Sequence, residues 1–297
     1  MQIKEIVDFE EELAGVRNRR MEIWHRGHID KEHKSFLEAN SIKHEPWFSV
    51  RTPGEIRDYM FEIHEGHPAW SEVKARLGGK HTYIGTKFSD EERLAAEWCI
   101  LYGESTLSNA ILPSFKWSDK VIQGGCKNCG TGWRQVASYT LKKELPSFKR
   151  HFGSFGLGFE LFARPDIFQT LRDFGTSGFD VWPLLLKKEK QAATSLSQLI
   201  TTPIAQPAIV EDLVEHERYG QTDCPLCGQT WHNYYTRGML PMRKAALIAD
   251  VDFQLTHEWF GNTRIARHET LVSNRIVRLI FQQKWTGVEL VPIHAVN

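Results

Sequence analysis

Two segments of the chain share one pattern of apolar and polar positions. In each, a short apolar run leads into about ten residues with apolar side chains at positions i and i+4, then a glycine and a second apolar run. The aligned pairs are Ile167 with Ile276, Leu171 with Ile280, Gly178 with Gly287, and Pro183 with Pro292. Such spacing is typical of a helix face between two strands. The pattern therefore predicts duplicated strand–helix–strand units and an α+β fold.

The remaining pattern predicts several isolated elements. Residues 1–9 alternate between apolar and polar side chains, as a strand does. Residues 68–77 begin with proline and end before a glycine pair, which indicates a short helix. Ser89 followed by Glu92 is a capping box that predicts the start of another helix. Residues 187–222 begin with Lys-Lys-Glu-Lys and contain two prolines and then an acidic run, and we expect them to form an extended crossing loop with a polar face.

Four of the five cysteines form two copies of the pattern C-x-x-C-G-x-x-W. These four are Cys126, Cys129, Cys224 and Cys227. A C-x-x-C turn brings two thiolates to one ion, and the following glycine allows the backbone conformation of the turn. Four thiolates fill the tetrahedral shell of zinc, so the sequence predicts one structural Zn²⁺ per chain in a split, zinc-ribbon-like site of four cysteines. The motif tryptophans, Trp133 and Trp231, are expected to pack over the metal loops, and a pair of ligand-binding aromatic side chains is the alternative.

Paired cysteines also occur in disulfides, redox sites and iron–sulfur clusters. A disulfide framework needs an oxidising compartment, whereas the chain starts without an apolar signal segment and has an odd number of cysteines. A redox pair has no need of a second copy with the same glycine and tryptophan. An iron–sulfur cluster uses the same four ligands and stays open as an alternative to zinc. The fifth cysteine, Cys99, lies in an apolar run, and we expect it to be a small buried side chain.

The motifs suggest two domains. Residues 1–80 form a mixed, histidine-rich N-terminal segment, and residues 81–297 carry both cysteine motifs. Within the second domain, residues 131–223 are an insertion that the metal closes at its base. The N-terminal histidines are His25, His28, His33 and His44. Their spacings match no common ligand pattern, so a solvated surface is expected there rather than a metal site.

Composition narrows the classes of function. Lysine plus arginine equals aspartate plus glutamate at 37 each, so no global positive field favours a nucleic-acid backbone. No apolar run approaches the roughly 18–20 residues that span a bilayer, which predicts a soluble, cytoplasmic protein without a membrane partner. The common nucleotide-loop, zinc-protease and nucleophile-elbow motifs are missing. The glycine-rich residues 153–158 match the pattern of a phosphate-binding loop only weakly. We therefore do not expect an enzyme.

The two C-x-x-C-G motifs around a long insertion resemble the double-CXXCG protein family, which comprises paralogues noted in myxobacteria and related immunity proteins of bacterial polymorphic toxin systems. Residues 88–92, with the sequence Phe-Ser-Asp-Glu-Glu, also match that family, as do residues 271–292 with their closing T-G-V-E-x-x-P phrase. The resemblance covers about residues 81–297. The histidine-rich N-terminal segment departs from it, because the family pattern reaches its first cysteine motif sooner.

The resemblance implies an immunity protein, stabilised by zinc, that binds and neutralises a cognate toxin protein in the cytoplasm. Such a role needs a rigid surface with complementary charge and aromatic anchors, and no catalytic centre. The acidic residues between the motifs are a hypothetical contact for a basic toxin; they are Glu211, Asp212, Glu215 and Glu217. The alternative is a zinc-ribbon protein associated with nucleic acid or transcription, which the neutral charge disfavours.

Overall fold

The computed structural model describes residues 22–48, 54–78, 83–104, 106–107, 111–112, 121–154, 160–188, 191–214, 221–262 and 265–297. The strand predicted at residues 1–9 lies outside these ranges. The chain divides into two compact units. The first comprises Met1–Phe88 with Thr236–Gly238, and the second comprises Ser89–Tyr235 with Met239–Asn297.

The first unit is an antiparallel four-stranded sheet in the order β2-β3-β1-β4. Its strands are β1 (Glu22–Asp30), β2 (Lys43–Phe48), β3 (Ile56–His64) and β4 (Tyr83–Lys87), with helices α1 (Lys34–Ala39) and α2 (Trp70–Arg76). Alternate residues of β3 are buried, which is the period of a strand with one face on a core. That core includes Phe61, Ile63 and Val73. The helix predicted at residues 68–77 is confirmed as α2.

One predicted surface histidine belongs to the core of this unit. His25 has no exposed surface, and its ring stacks on Trp70 with the centroids 3.9 Å apart. The alternation along β1 places it on the same buried face as Ile23 and Ile29. The expectation of a solvated surface is therefore wrong for His25, because the position of a residue in a strand decides its burial more than its polarity does.

The described residues of the second unit form four sheets. Their strand orders are β10-β11-β13-β12-β9-β6, β16-β21-β5-β20-β17, β14-β15-β18-β19 and β7-β8. The strands are β5 (Trp98–Gly103), β6 (Ile111–Leu112), β7 (Ile122–Gly124), β8 (Trp133–Gln135), β9 (Thr140–Leu141), β10 (Phe152–Gly153), β11 (Leu161–Ala163), β12 (Phe179–Leu186), β13 (Ala192–Thr201), β14 (Gln221–Asp223), β15 (Thr230–His232), β16 (Leu240–Arg243), β17 (Phe253–Leu255), β18 (Trp259–Asn262), β19 (Ile265–Arg267), β20 (Thr270–Ser273) and β21 (Val288–Val296).

The part of this unit that the structure describes also contains the α-helices α3 (Asp90–Ala95), α4 (Pro165–Asp173) and α5 (Asn274–Gln282). Helices α4 and α5 bury their apolar faces in one core with residues of β5, β11 and β20. The capping box of α3 is confirmed, since Ser89 Oγ accepts from the Glu92 amide and the Glu92 carboxylate accepts from the Ser89 amide. Among the described residues, no helix is long and apolar enough to cross a membrane.

The predicted α+β class with duplicated strand–helix–strand units is wrong. Of the described residues, 43% lie in strands and 19% in helices, spread over several sheets. The strands on either side of α4, β11 and β12, do not pair with each other, because β13 lies between them. Likewise β5 separates β20 from β21. Each helix with its flanking strands depends on a third strand from elsewhere in the chain, so neither segment is a self-contained α/β unit.

The expectation of an extended loop at residues 187–222 is also wrong. Strand β13 occupies Ala192–Thr201 and lies inside the six-stranded sheet, between β11 and β12. Its sequence, Ala-Ala-Thr-Ser-Leu-Ser-Gln-Leu-Ile-Thr, has a weak alternation of apolar and polar residues, because small and hydroxyl side chains fill both faces. Pairing with β11 on one edge and with β12 on the other stabilises β13, and the local sequence pattern does not predict this pairing.

Two glycines allow close backbone contacts within the second unit. Gly178 and Gly287 have φ angles of +87° and +89°, and a Cβ at either one would overlap the carbonyl oxygen of Phe253 or Phe152, respectively. The residues before them reinforce these contacts. The Phe253 amide donates to the Ser177 carbonyl at 3.1 Å, and the Phe152 amide donates to the Thr286 carbonyl at 3.0 Å. Only glycine fits both the backbone angle and the space at these positions.

We predict that Gly178→Ala lowers the free energy of unfolding by more than about 3 kcal/mol, since strain at positive φ adds to a clash with backbone. Gly175→Ala is the matched control. Gly175 also has positive φ, at +68°, but a Cβ there would meet only the end of the Arg275 side chain at 3.8 Å. That control should cost about 1 kcal/mol. Urea denaturation of the unmodified chain and the two variants measures both losses of unfolding free energy. Equal losses in Gly178→Ala and Gly175→Ala would contradict the close packing described at Gly178.

Candidate metal centre and adjoining cavity

The two cysteine motifs form the same turn. In the first, the Gly130 amide donates to the Cys126 carbonyl at 2.8 Å, and the Cys126 amide donates to the Thr131 carbonyl at 2.9 Å. The second motif repeats both bonds 98 residues later, at 2.8 and 2.9 Å. Gly130 and Gly228 have φ angles of +80° and +71°, which explains the glycine after each cysteine pair.

The turns bring the four predicted ligands together. The Sγ atoms of the four cysteines all lie within 4.8 Å of one another. Across the motifs, Cys126 and Cys224 have their sulfurs 3.6 Å apart, and the sulfurs of Cys129 and Cys227 are 3.7 Å apart. A tetrahedral zinc ion with zinc–sulfur bonds of about 2.3 Å holds its sulfurs about 3.8 Å apart. The distances suit a shared metal ion, and they are far longer than the roughly 2.05 Å of a disulfide.

Polar groups surround the sulfurs. The side-chain amide of Asn128 donates to Cys224 Sγ at 3.4 Å, and its backbone amide donates to Cys126 Sγ at the same distance. Thr131 Oγ1 lies 3.0 Å from Cys129 Sγ and 3.5 Å from Cys227 Sγ. Such partners orient metal ligands and stabilise negative charge on sulfur.

The thiol pKa values differ around the cluster. Burial acts to raise the pKa of Cys224, but donors led by the Asn128 side chain outweigh it and lower that pKa to about 6. The Thr131 hydroxyl is the main cause that lowers the pKa of Cys227. Burial raises the pKa of Cys129 to about 11. A cation at the centre would favour the thiolate form of all four, as metal binding to cysteine does.

The centre is continuous with a small apolar cluster. Cys129 and Cys224 are buried with Trp231 and Ala266, and the Ala266 amide donates to the Cys129 carbonyl at 3.2 Å. The predicted packing of Trp231 over the metal loops is confirmed. Trp133 is placed differently, because its indole NH donates to the Ala266 carbonyl at 2.6 Å and its ring lines a cavity beside the centre.

The other predicted residues lie apart from this centre. Cys99 is fully buried in β5, as expected, and burial raises the pKa of its thiol to about 12. Among the described residues, the only other group with metal-ligand geometry is Asp30, Glu32 and His33. Its side chains are partly or fully exposed, as acidic groups commonly are without a metal. Of the acidic cluster, Glu211 and Asp212 form part of a short 3-10 turn, and Glu215 and Glu217 lie outside the described residues.

Sequence patterns did not point to the adjoining cavity, which has a volume of about 400 Å³. Residues from β8, β11, β12, β13, β18 and β19 line it, including Trp133, Trp182, Trp259, Glu160, Gln198 and Arg267. These residues are spread over more than a hundred positions of sequence, so only the strand pairing brings them together. The one sequence feature that could have indicated the cavity is Trp133, the tryptophan at the end of the first cysteine motif.

The cavity floor contains buried charge. Glu160 and Arg267 are 8% and 3% exposed. Burial raises the pKa of Glu160, while the charge of Arg267 acts to lower it. Tyr139 donates its hydroxyl to Glu160 at 3.5 Å. Burial also raises the pKa of Glu269 to about 7, and the charge of Arg267 again acts to lower it. One guanidinium therefore lies among two carboxyl groups.

No family model matches the chain, and no curated protein matches it.

Asn128 offers a test of the centre that leaves the four ligands in place. We predict that Asn128→Ala keeps one bound zinc but weakens zinc affinity about tenfold, as loss of a hydrogen bond to a metal ligand typically does. Competition with a chromophoric chelator measures the affinity. Lys127→Ala is the control, because Lys127 is exposed in the same turn and should leave affinity unchanged. Equal affinities for all three proteins would contradict the assigned role of Asn128.

Proposed function

We propose that this chain is a zinc-stabilised immunity protein that binds a cognate bacterial toxin protein in the cytoplasm and blocks it. Its zinc is structural, held by Cys126, Cys129, Cys224 and Cys227. The protein acts by binding and not by catalysis, and its membership of the double-CXXCG proteins is part of the proposal.

The observation that supports this proposal is the geometry of the four sulfurs. Their separations of 3.6 and 3.7 Å across the two turns suit an ion with four sulfur ligands. A zinc ion held this way has no open position for water or substrate, and sites of this kind stabilise folds rather than perform chemistry. The choice of a toxin as partner comes from the resemblance of residues 81–297 to immunity proteins.

A structural zinc suits a protein that has to present a fixed binding surface. The two turns lie far apart in sequence, and one ion fixes both of them, together with the strands that leave them. Fixing the surface before binding reduces the entropy lost on association, so affinity rises without further contacts.

The metal assignment predicts the result of ligand removal. Cys126→Ser and Cys224→Ser should each lose the bound zinc and lower the melting temperature by more than about 5 °C, because binding energy at a structural site is folding energy. Metal analysis and calorimetry measure the two effects. Cys99→Ala is the control, since Cys99 is buried elsewhere and its loss should leave one zinc per chain. Full zinc content in both serine variants would overturn the shared site.

If the partner is a toxin, the chain should bind one protein that is toxic when it is expressed alone. Affinity purification of the full chain from its native, nuclease-treated lysate should retain one protein at equal stoichiometry. Expressed alone, that protein should arrest growth, and co-expression of this chain should restore it. Failure of the zinc-free Cys126→Ser chain to protect would be expected from lost folding. If the retained protein is harmless, or if nucleic acid or polymerase subunits are retained instead, toxin neutralisation is wrong.

The same complex locates the contact. Reversing the four acidic residues at positions 211, 212, 215 and 217 to lysine should slow association with a basic toxin about tenfold, as removal of electrostatic steering does. The control reverses four acidic residues elsewhere in the chain, all of them exposed: Glu45, Glu55, Asp173 and Asp180. Equal association rates for the two variants would exclude the acidic cluster as the contact.

A further inference from the structure

The cavity beside the metal centre has the size of a small-molecule site. Its volume of about 400 Å³ falls within the roughly 300–1,000 Å³ of known ligand pockets, which combine apolar walls with a few placed polar groups. The whole lining belongs to the second unit.

Three tryptophans supply flat apolar walls. Trp133, Trp182 and Trp259 all line the cavity, and all are half-buried. Two of them are fixed in place. The Trp133 indole donates to the Ala266 carbonyl at 2.6 Å, and the ring of Trp259 packs on that of His268 with the centroids 3.9 Å apart. Indole rings held rigid at a cavity are well suited to stack on another planar ring.

Two glutamines supply a fixed amide edge. Gln135 and Gln198 exchange a pair of hydrogen bonds, each 2.8 Å long. Gln135 Nε2 also donates to the Ala137 carbonyl at 3.0 Å, which uses its second hydrogen. The amide of Gln198 keeps its second N–H, and each side-chain oxygen keeps a lone pair. Gln198 is only 3% exposed, so these groups are oriented before any ligand arrives.

The two buried charged groups of the lining balance each other, while the third charged residue of the lining, Arg134, is exposed to solvent. Glu160 and Arg267 both line the cavity and are both buried, and they offer an acceptor and a donor of opposite sign. A ligand with a large net charge would be repelled by one of them. A neutral molecule with donors and acceptors on its edge meets both favourably.

We propose that this cavity binds a planar, uncharged heteroaromatic ring with hydrogen-bond donors and acceptors on its edge, the chemical class of the nucleobases. The ring stacks on indole faces, and the Gln198 amide with the Glu160 and Arg267 side chains contacts its edge. Stacking between aromatic side chains combined with hydrogen bonds to the base edge is how proteins hold an unpaired base. This inference goes beyond toxin neutralisation and does not depend on it.

A base can come from a free nucleoside or from a single strand. The two sources share the ring chemistry, but a strand also needs cations for its phosphates. The chain has no net charge, and the cavity lining adds a single exposed arginine, Arg134, which is too little for a run of phosphates and therefore favours the free nucleoside.

The test is calorimetric titration of the zinc-loaded full chain with adenosine, guanosine, cytidine and uridine, each to about 1 mM. At least one nucleoside should bind saturably at one site per chain, and ribose should not bind. In separate runs, single-stranded tetranucleotides distinguish the sources. Tighter binding of a strand than of its nucleoside, lost on Trp182→Ala, would place a strand base in the same cavity.

Substitutions in the lining test whether the nucleoside binds in this cavity. Trp182→Ala and Gln198→Leu should each weaken binding about tenfold or more, in line with the loss of one stacking face or one edge contact. Trp182→Phe keeps an aromatic face and should restore most of the affinity. The matched controls are Trp47→Ala and Gln169→Leu, both at exposed positions outside the lining, and they should bind as the unmodified chain does. Zinc content and circular dichroism confirm that each variant folds.

Two results would overturn the proposal. One is the absence of binding by all four nucleosides and all tetranucleotides at the highest concentration. The other is binding whose affinity is the same in folded Trp182→Ala, folded Gln198→Leu and the control variants, because such binding would lie elsewhere on the protein.

Discussion

The convergence of four sulfurs from two distant turns is the constraint on which this part of the fold depends. The hairpins that carry the turns are small, since β7, β8, β14 and β15 have three residues each. Isolated hairpins of that length are marginal in water, and the apolar cluster around Cys129 and Cys224 is small. A metal ion bound by the four sulfurs would supply the binding energy that such short elements lack.

The centre and the cavity share backbone contacts. The Ala266 amide donates to the Cys129 carbonyl, and the Ala266 carbonyl accepts from the Trp133 indole. Ala266 therefore connects a candidate metal-binding cysteine to a wall of the cavity. The next residue in β19 is Arg267, which provides the buried positive charge of the cavity lining. Movement of the first turn would therefore shift an indole and a guanidinium together. A metal ion bound at this centre would hold the turn in place and keep the cavity preformed, whatever the cavity binds.

Local chemistry made part of the structure predictable. The spacing of cysteine and glycine specified each turn, because a C-x-x-C-G segment has few conformations that present both sulfurs. The capping box at Ser89 needed only neighbouring residues. Strand pairing was different, since nothing local distinguishes β13, with its small and polar side chains, from a loop. The repeated helical pattern was similarly misleading, because the third strand that completes each sheet lies outside the repeat. The cavity could not be predicted from local patterns either, because its lining residues come together only when the sheets form.

X-ray absorption at the zinc edge of the purified full chain shows directly whether one zinc ion binds the four cysteines. We expect one zinc per chain with four sulfur neighbours at about 2.3 Å and no nitrogen or oxygen neighbour. A spectrum with fewer than four sulfurs, or a protein that contains iron in place of zinc, would contradict this expectation.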